Sequence, residues 1–211
     1  MKFDAFVRSV NSLPVIESEN LRHKFSSPNA LEVQMTRWAG QGKLVKLKRG
    51  VYLLAEPYRK ILSNEFFLAS VLKRPSYVSL EKALEYHDLI PEAVSVYTSV
   101  TTKRQGRFDS DSGIFDYQHI QVPLFWGYEA VKLRGQMGFV ALPEKALLDF
   151  IYLKHPRLSP DYLESLRLQN LGKINARRLE TFARRFKKPK MLEAARLIRH
   201  FIRLQSKEKM L

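Results

Sequence analysis

Within SSPNALEVQMTRWAG, residues 26 to 40, Arg37 and Asn29 carry side chains that match purine edges. A guanidinium can donate twice to guanine O6 and N7, and a carboxamide can bridge adenine N6 and N7, each such contact being worth about 1–3 kcal/mol of discrimination between bases. Just beyond them, Lys46, Lys48 and Arg49 crowd into LVKLKRGVYLL, and such cations suit phosphate oxygens, which set register without reading sequence. A third group, Arg196, Arg199 and Arg203, recurs at spacings of three and four. Base-reading side chains followed by phosphate-seeking cations are the chemistry of duplex recognition, provided that the fold presents them outward.

The local signals predict such a fold. Ser27 can accept a hydrogen bond from the first free N–H groups of a helix, and Pro28 suits the first helical position, where its missing N–H costs nothing. Leu31, Met35 and Trp38 share an inward stripe, and Gly42 offers positive φ where the helix stops. Asn29, Glu32, Val33, Thr36 and Arg37 are left facing outward. Leu44, Val45 and Leu47 lead into Lys48-Arg49-Gly50, and Val51 to Leu54 return from it, so two short strands with a basic turn are expected. Upstream, Phe3, Phe6, Val7 and Val10 occur at helical spacing, and Ser18 can cap a second helix that turns Leu21 and Phe25 inward. Three helices and a hairpin in this order predict a winged helix-turn-helix over residues 1–56. The second helix of the pair would enter the major groove of operator DNA.

Charge is unevenly distributed. Residues 1–60 hold 11 Lys or Arg against 5 Asp or Glu, residues 61–153 hold 9 against 11, and residues 154–211 hold 16 against 5. With 45% hydrophobic residues the chain can bury a sizeable core, so this charge belongs to a folded surface and favours polyanions in a salt-sensitive manner. An acidic membrane surface would attract it too. No stretch approaches 18 uncharged apolar residues and the first residues lack the apolar core of a signal peptide, so an unexported, cytoplasmic protein without membrane partners is expected. Zero cysteines exclude disulfides and thiolate chemistry.

Residues 56 to 60, EPYRK, read as the junction to a second domain, 60–211. A helix capped after Ser63 carries Phe66, Phe67, Ala69 and Ser70, and Ser79 can cap another through Ala83, Leu84 and His87. The run from Val94 to Thr102 alternates at strand spacing; Phe115 to Val122, Tyr128 to Leu133 and Gly138 to Ala141 continue in β-rich manner before helices return after Pro143. The expected class is α+β, a mixed α/β domain ending in basic helices. In the last of these Ala194, Ala195, Leu197, Ile198, Phe201, Ile202 and Leu204 take one side of a helical wheel, with Arg196, Arg199, His200, Arg203 and Lys207 opposite. That stripe can follow a phosphate backbone, face an acidic partner, or merely solvate the helix.

Enzyme constellations are missing when sought one by one. The five histidines are scattered without metal-ligand spacing, so no metal or cofactor is expected. Asp109, Asp111 and Asp116 around Gly113 lack the order and distal glutamate of a calcium loop and fit a polar hairpin tip. Gly40-Gln41-Gly42-Lys43 is too short for a phosphate loop, no Asp-x-Lys or Glu-x-Lys occurs, and no Gly-x-Ser-x-Gly elbow is present. Glu144-Lys145 and His87-Asp88 are adjacent pairs that point apart on a helix, and their blocks read as amphipathic core helices.

The blocks YVSLEKALEYHDLIPEAVSVYTSVTTKRQGRFDSDSGIFDYQHI, LFWGYEA and ALPEKALLDFIYL, with RGVY at the end of the hairpin, resemble in order the AbiEi family of antitoxins from type IV toxin-antitoxin and abortive-infection systems, over roughly residues 1–160. The resemblance implies an N-terminal winged helix that represses its own operon and a C-terminal domain needed for antitoxicity. It also implies a neighbouring nucleotidyltransferase-like toxin as functional partner. Two other classes fit the residues as well: a nucleic-acid-processing or modifying enzyme delivered by a winged helix, which would turn over labelled DNA with Mg²⁺, and a ligand-sensing transcription factor without a toxin.

Overall fold

The computed structural model describes residues 2–21 and 28–208; the expected cap Ser27, the inward Phe25 and the Lys207 side chain lie outside them. The N-terminal part contains α1 (Phe3–Val10), β1 (Ile16–Glu17), α2 (Ser18–Leu21), α3 (Pro28–Gly40) and the hairpin β2 (Leu44–Lys48) and β3 (Val51–Leu54). The hairpin forms as expected. The strand β1 was not legible, because two residues carry no alternation; it pairs antiparallel with β3, Ile16 opposite Tyr52 and Glu17 opposite Val51, making a sheet of order β1-β3-β2. Ser18 opens α2, and its backbone N–H donates to the carbonyl of Gly50 at 2.8 Å. Gly50, at φ +77°, is held close over the Ser18 hydroxyl, which a Cβ would meet at 3.1 Å.

A 3₁₀ turn (Glu56–Tyr58) leads to α4 (Glu65–Leu72), β4 (Ser76–Val78), α5 (Leu80–Tyr86), β5 (Val96–Thr101), β6 (Gly106–Ser110), β7 (Gly113–His119), β8 (Tyr128–Leu133) and β9 (Gln136–Ala141). The strands form a mixed sheet of order β6-β7-β5-β4-β9-β8 in which β5–β7 and β4–β9 are parallel. The helices α6 (Pro143–Lys154), α7 (Pro160–Ser165), α8 (Ala176–Arg185) and α9 (Pro189–Glu208) complete the chain, with α6 packed against α5, α8 and α9. The class is α+β.

Two expected caps are replaced. Asn64, not Ser63, caps α4, accepting from the N–H groups of Phe66 and Phe67, while Ser63 donates to the carbonyl of Pro14. Ser79 precedes α5 but makes no cap; its hydroxyl donates to the buried Asp149 carboxylate instead.

Two apolar clusters meet at the hairpin. Phe6, Val10, Ile16, Leu31, Met35, Trp38, Leu44, Tyr52 and Leu54 belong to the smaller one. Val15, Leu47, Val51 and Leu53 belong to the large one, with Phe66, Leu68, Leu72, Val100, Phe115 and the buried faces of α6, α8 and α9. Alternate residues of β3 therefore enter different cores, the pleat of one strand serving both. The junction near Pro57 is no break in packing.

Candidate nucleic-acid interface

The outward face of α3 is built by its inward one. Leu31, Met35 and Trp38 are buried against Phe3 and Phe6 of α1, with Trp38 ring to ring with Phe3 at 5.1 Å and with Phe6 at 4.8 Å, which fixes the rotation of the helix about its axis. Asn29, Val33, Thr36 and Arg37 are consequently exposed, as expected from their spacing. Thr36 bends its hydroxyl back to the carbonyl of Glu32 at 2.9 Å. Among the described residues no ion pair engages Arg37 or Arg49, so both guanidinium groups can meet a ligand at little cost in broken contacts.

The hairpin presents its three cations unequally. Lys46 and Arg49 are exposed. Lys48 is half-buried: its ammonium donates to the carbonyl of Leu72 at the end of α4, at 2.7 Å. Loss of water lowers its pKa from the ordinary lysine value, the nearby Glu17 carboxylate opposes this, and Arg74 and Lys73 push the same way as burial. The cation expected beside Arg49 on a protruding hairpin therefore turns toward the end of α4. A bulge between Lys46 and Lys48 shifts the register of β2 and turns Leu47 into the large core. A cleft of about 310 Å³ borders both the Arg49 turn and Glu32 of α3, so hairpin tip and helix are neighbours; Glu17, Glu19 and Glu32 line it against Lys48 and Arg49, so its carboxylates outnumber its cations.

The third group lies on α9, which packs against α6, α7 and α8. Met191, Ala194, Ala195, Ile198 and Phe201 are buried, and Arg196 and Arg203 are exposed opposite them. Arg199 is partly covered and pairs with Glu180 of α8 at 3.1 Å, so its charge is shared. Leu204, placed on the apolar side of the wheel, is 47% exposed, because the inner layer stops short of the helix end. Further exposed cations stand beside this group on α8 and the turn into α9: Arg177, Arg178, Arg184, Arg185, Lys187, Lys188 and Lys190. The ten expected residues thus form two groups on different packing units.

No family model matches the chain, and no curated protein does.

A second group of basic residues escaped sequence reading because its segment is neutral overall. Arg74, Lys103, Arg104 and Arg107 are exposed near the hairpin, where β6 approaches β2 and Lys73 donates to the carbonyl of Arg104 at 2.7 Å. Burial and the neighbouring Arg104 lower the Lys73 pKa. Only the fold brings these charges beside Lys46 and Arg49.

The chain also buries a polar cluster. On α6, Lys145 and Asp149 are fully buried and ion-paired one turn apart. The Tyr77 and Ser79 hydroxyls donate to the second Asp149 oxygen, each at 2.9 Å, and the Lys145 ammonium lies 4.8 Å from the Trp126 ring centroid and 5.0 Å from that of Phe186. Burial raises the Asp149 pKa and lowers that of Lys145, against the attraction of the pair. Arg185 covers the Trp126 ring at 3.9 Å. Glu144, also buried, accepts from the Asn175 N–H at 2.6 Å. The i, i+4 placement of Lys145 and Asp149 among the apolar residues Ala146, Leu147, Leu148 and Phe150 was a legible signal for this cluster. The cluster links β4, α6 and α8. Among the described residues no group of His, Asp and Glu could hold a metal ion, and no helix is long and apolar enough to cross a membrane.

Proposed function

We propose that this chain is a DNA-binding antitoxin of the type IV kind: a winged helix-turn-helix over its N-terminal part represses its own operon, and the second domain antagonises a nucleotidyltransferase-like toxin. The observation that carries the DNA part is the exposed face Asn29, Val33, Thr36 and Arg37 on a helix whose rotation is fixed by buried aromatics, with Arg49 at a neighbouring hairpin tip. Helix, hairpin and cations supply base-edge donors and phosphate partners together. Lys46, Arg49 and the Arg74–Arg107 group form one electrostatic footing, and Arg196 and Arg203 with the α8 cations a second. The toxin part rests on the resemblance of the sequence blocks to the antitoxin family. The protein acts in the cytoplasm without a cofactor and is not an enzyme.

Anisotropy titration of the full chain against duplex from upstream of its own reading frame, beside a scrambled duplex, tests the DNA part. Tighter binding to the first and a steep loss of affinity with salt are expected; equal affinity for both duplexes would defeat it. Co-expression with the product of an adjacent nucleotidyltransferase-like gene tests the second part, with restored growth as the expected result. Turnover of labelled DNA or added nucleotide with Mg²⁺ would favour an enzyme instead.

A further inference from the structure

A groove of about 410 Å³ opens between the end of α4 and the outer strands β9 and β8, within the size range of small-molecule sites. Phe67, Phe125, Tyr128, Met137 and Phe139 give it an aromatic and apolar lining. Met137 and Phe139 are 45% and 37% exposed, while the other residues of β9 are buried. Phe139 meets the Tyr128 ring edge-on at 6.0 Å, so part of the lining is already packed together. Tyr128 and Phe125 rest on the Tyr77 ring, at 4.6 and 5.0 Å between centroids, and Tyr77 is anchored through its hydroxyl to Asp149.

Among the described residues Arg74 is the one charged group on the lining. Ser70 and Ser76 also border the groove, but their hydroxyls are committed to the backbone carbonyls of Phe67 and Lys73. The Arg74 guanidinium, 60% exposed, grips Glu17 in a two-pronged contact at 2.8 and 3.1 Å. A two-pronged arginine–carboxylate contact is among the stronger surface pairs, so only another carboxylate of the same geometry can take the place of Glu17 there. Lys48 stays beside Glu17 as a remaining counter-charge.

We propose that this groove binds a small aromatic carboxylate, its ring packed against Phe139, Met137 and Tyr128 and its carboxylate taking the Arg74 guanidinium from Glu17. An aromatic floor with a single cation at its edge selects a planar apolar body with one negative end. Glu17 lies opposite Val51 in the hairpin sheet, so its grip on Arg74 ties that sheet to the end of α4, beside the Lys48–Leu72 contact. Occupancy of the groove releases the first of these ties. The consequence for DNA rests on the function proposed above: ligand and duplex would then alter each other's affinity by the same factor.

Calorimetric titration of the full chain with 2-naphthoate, and separately with neutral 2-naphthamide, tests the site without DNA, so the outcome stands whether or not the duplex reading does. Saturable one-site binding of naphthoate is expected, weakened about tenfold by Arg74→Gln and by Phe139→Ser and strengthened several-fold by Glu17→Gln, which removes the internal competitor. Naphthamide binding should be indifferent to Arg74→Gln. Cooperative thermal melting of each variant shows that folding is retained: Arg74 and Phe139 are exposed, and Glu17→Gln removes the charge of one contact while keeping the side chain's shape. Absence of saturable binding, or affinity for naphthoate that ignores both Arg74→Gln and Glu17→Gln, overturns the proposal. Self-association abolished by Phe139→Ser, with no naphthoate bound, would assign the patch to a second copy of the chain and overturn it equally.

Discussion

Arg37 and Lys48 show how far a cation's neighbours decide its use. Arg37 stands exposed on a fixed helix face, so Arg37→Ala should cost about 1–3 kcal/mol on operator DNA and relax preference at one base position, read as a reduced gap between operator and scrambled duplex in anisotropy. Arg49→Ala should weaken both duplexes alike and lower the salt slope by about one unit per lost phosphate contact. Lys48→Ala should leave that slope nearly unchanged, because its ammonium is spent on the carbonyl of Leu72. A drop in slope equal to that of Arg49→Ala would show that Lys48 leaves this contact to bind phosphate. The buried Lys145–Asp149 pair gives a stability counterpart. Removing one partner strands the other charge, so Lys145→Met should cost about 3–5 kcal/mol in denaturant unfolding, whereas Lys145→Met with Asp149→Leu should cost less than the sum of the single changes.

The helix α9 carries its own test. Reversing Arg196, Arg199 and Arg203 to Glu spares the buried Met191, Ala194, Ile198 and Phe201, but sets a new carboxylate at position 199 against Glu180. A small loss of melting temperature is therefore expected, since Arg199 and Arg196 both lie near the Glu180 carboxylate and exposed pairs contribute little. If the helix tracks phosphates, affinity for every duplex falls at moderate salt while the preference for operator persists; if it faces a toxin, rescue of growth fails and repression of an operon reporter is kept. No change in either assay returns the stripe to plain solvation. The hairpin strand β3 makes the complementary point, since all four of its residues are buried and it serves as a wall between two cores.

That shared wall governs how the chain can be divided. A cut near Pro57 gives residues 1–56, which expose Leu47, Val51 and Leu53, and residues 60–211, which expose the surface those side chains cover around Phe66, Leu68 and Leu72. Both fragments should melt below the full chain, and the larger should bind an apolar dye such as ANS. Rescue of growth by residues 60–211 from an unrelated promoter remains the expected outcome if antitoxicity lies there, but at reduced protein level. A larger fragment as stable as the whole chain would show that the hairpin contributes little to the second core. Charge follows the same logic: the cations of the neutral middle, Arg74, Lys103, Arg104 and Arg107, join the hairpin's because β6 lies against β2.

The sequence alone sufficed for whatever depends on neighbours within a turn or two of chain. The stripe Leu31, Met35, Trp38, the outward set around Arg37, the turn at Gly50 and the strand Tyr128–Leu133 all follow from periods of 3.6 and 2, which local backbone geometry enforces. Tertiary structure alone decided what depends on which faces meet. Alternation marks two faces of β3 but cannot say that both are covered; Ser79 resembles a cap until Asp149 claims its hydroxyl; Lys48 resembles Arg49 until the carbonyl of Leu72 comes within reach. The groove beside Arg74 likewise gathers Phe67, Tyr128, Met137 and Phe139 from distant segments. Side chains far apart in the chain become neighbours through closure of the sheet and burial of its faces, and no local period encodes those pairings.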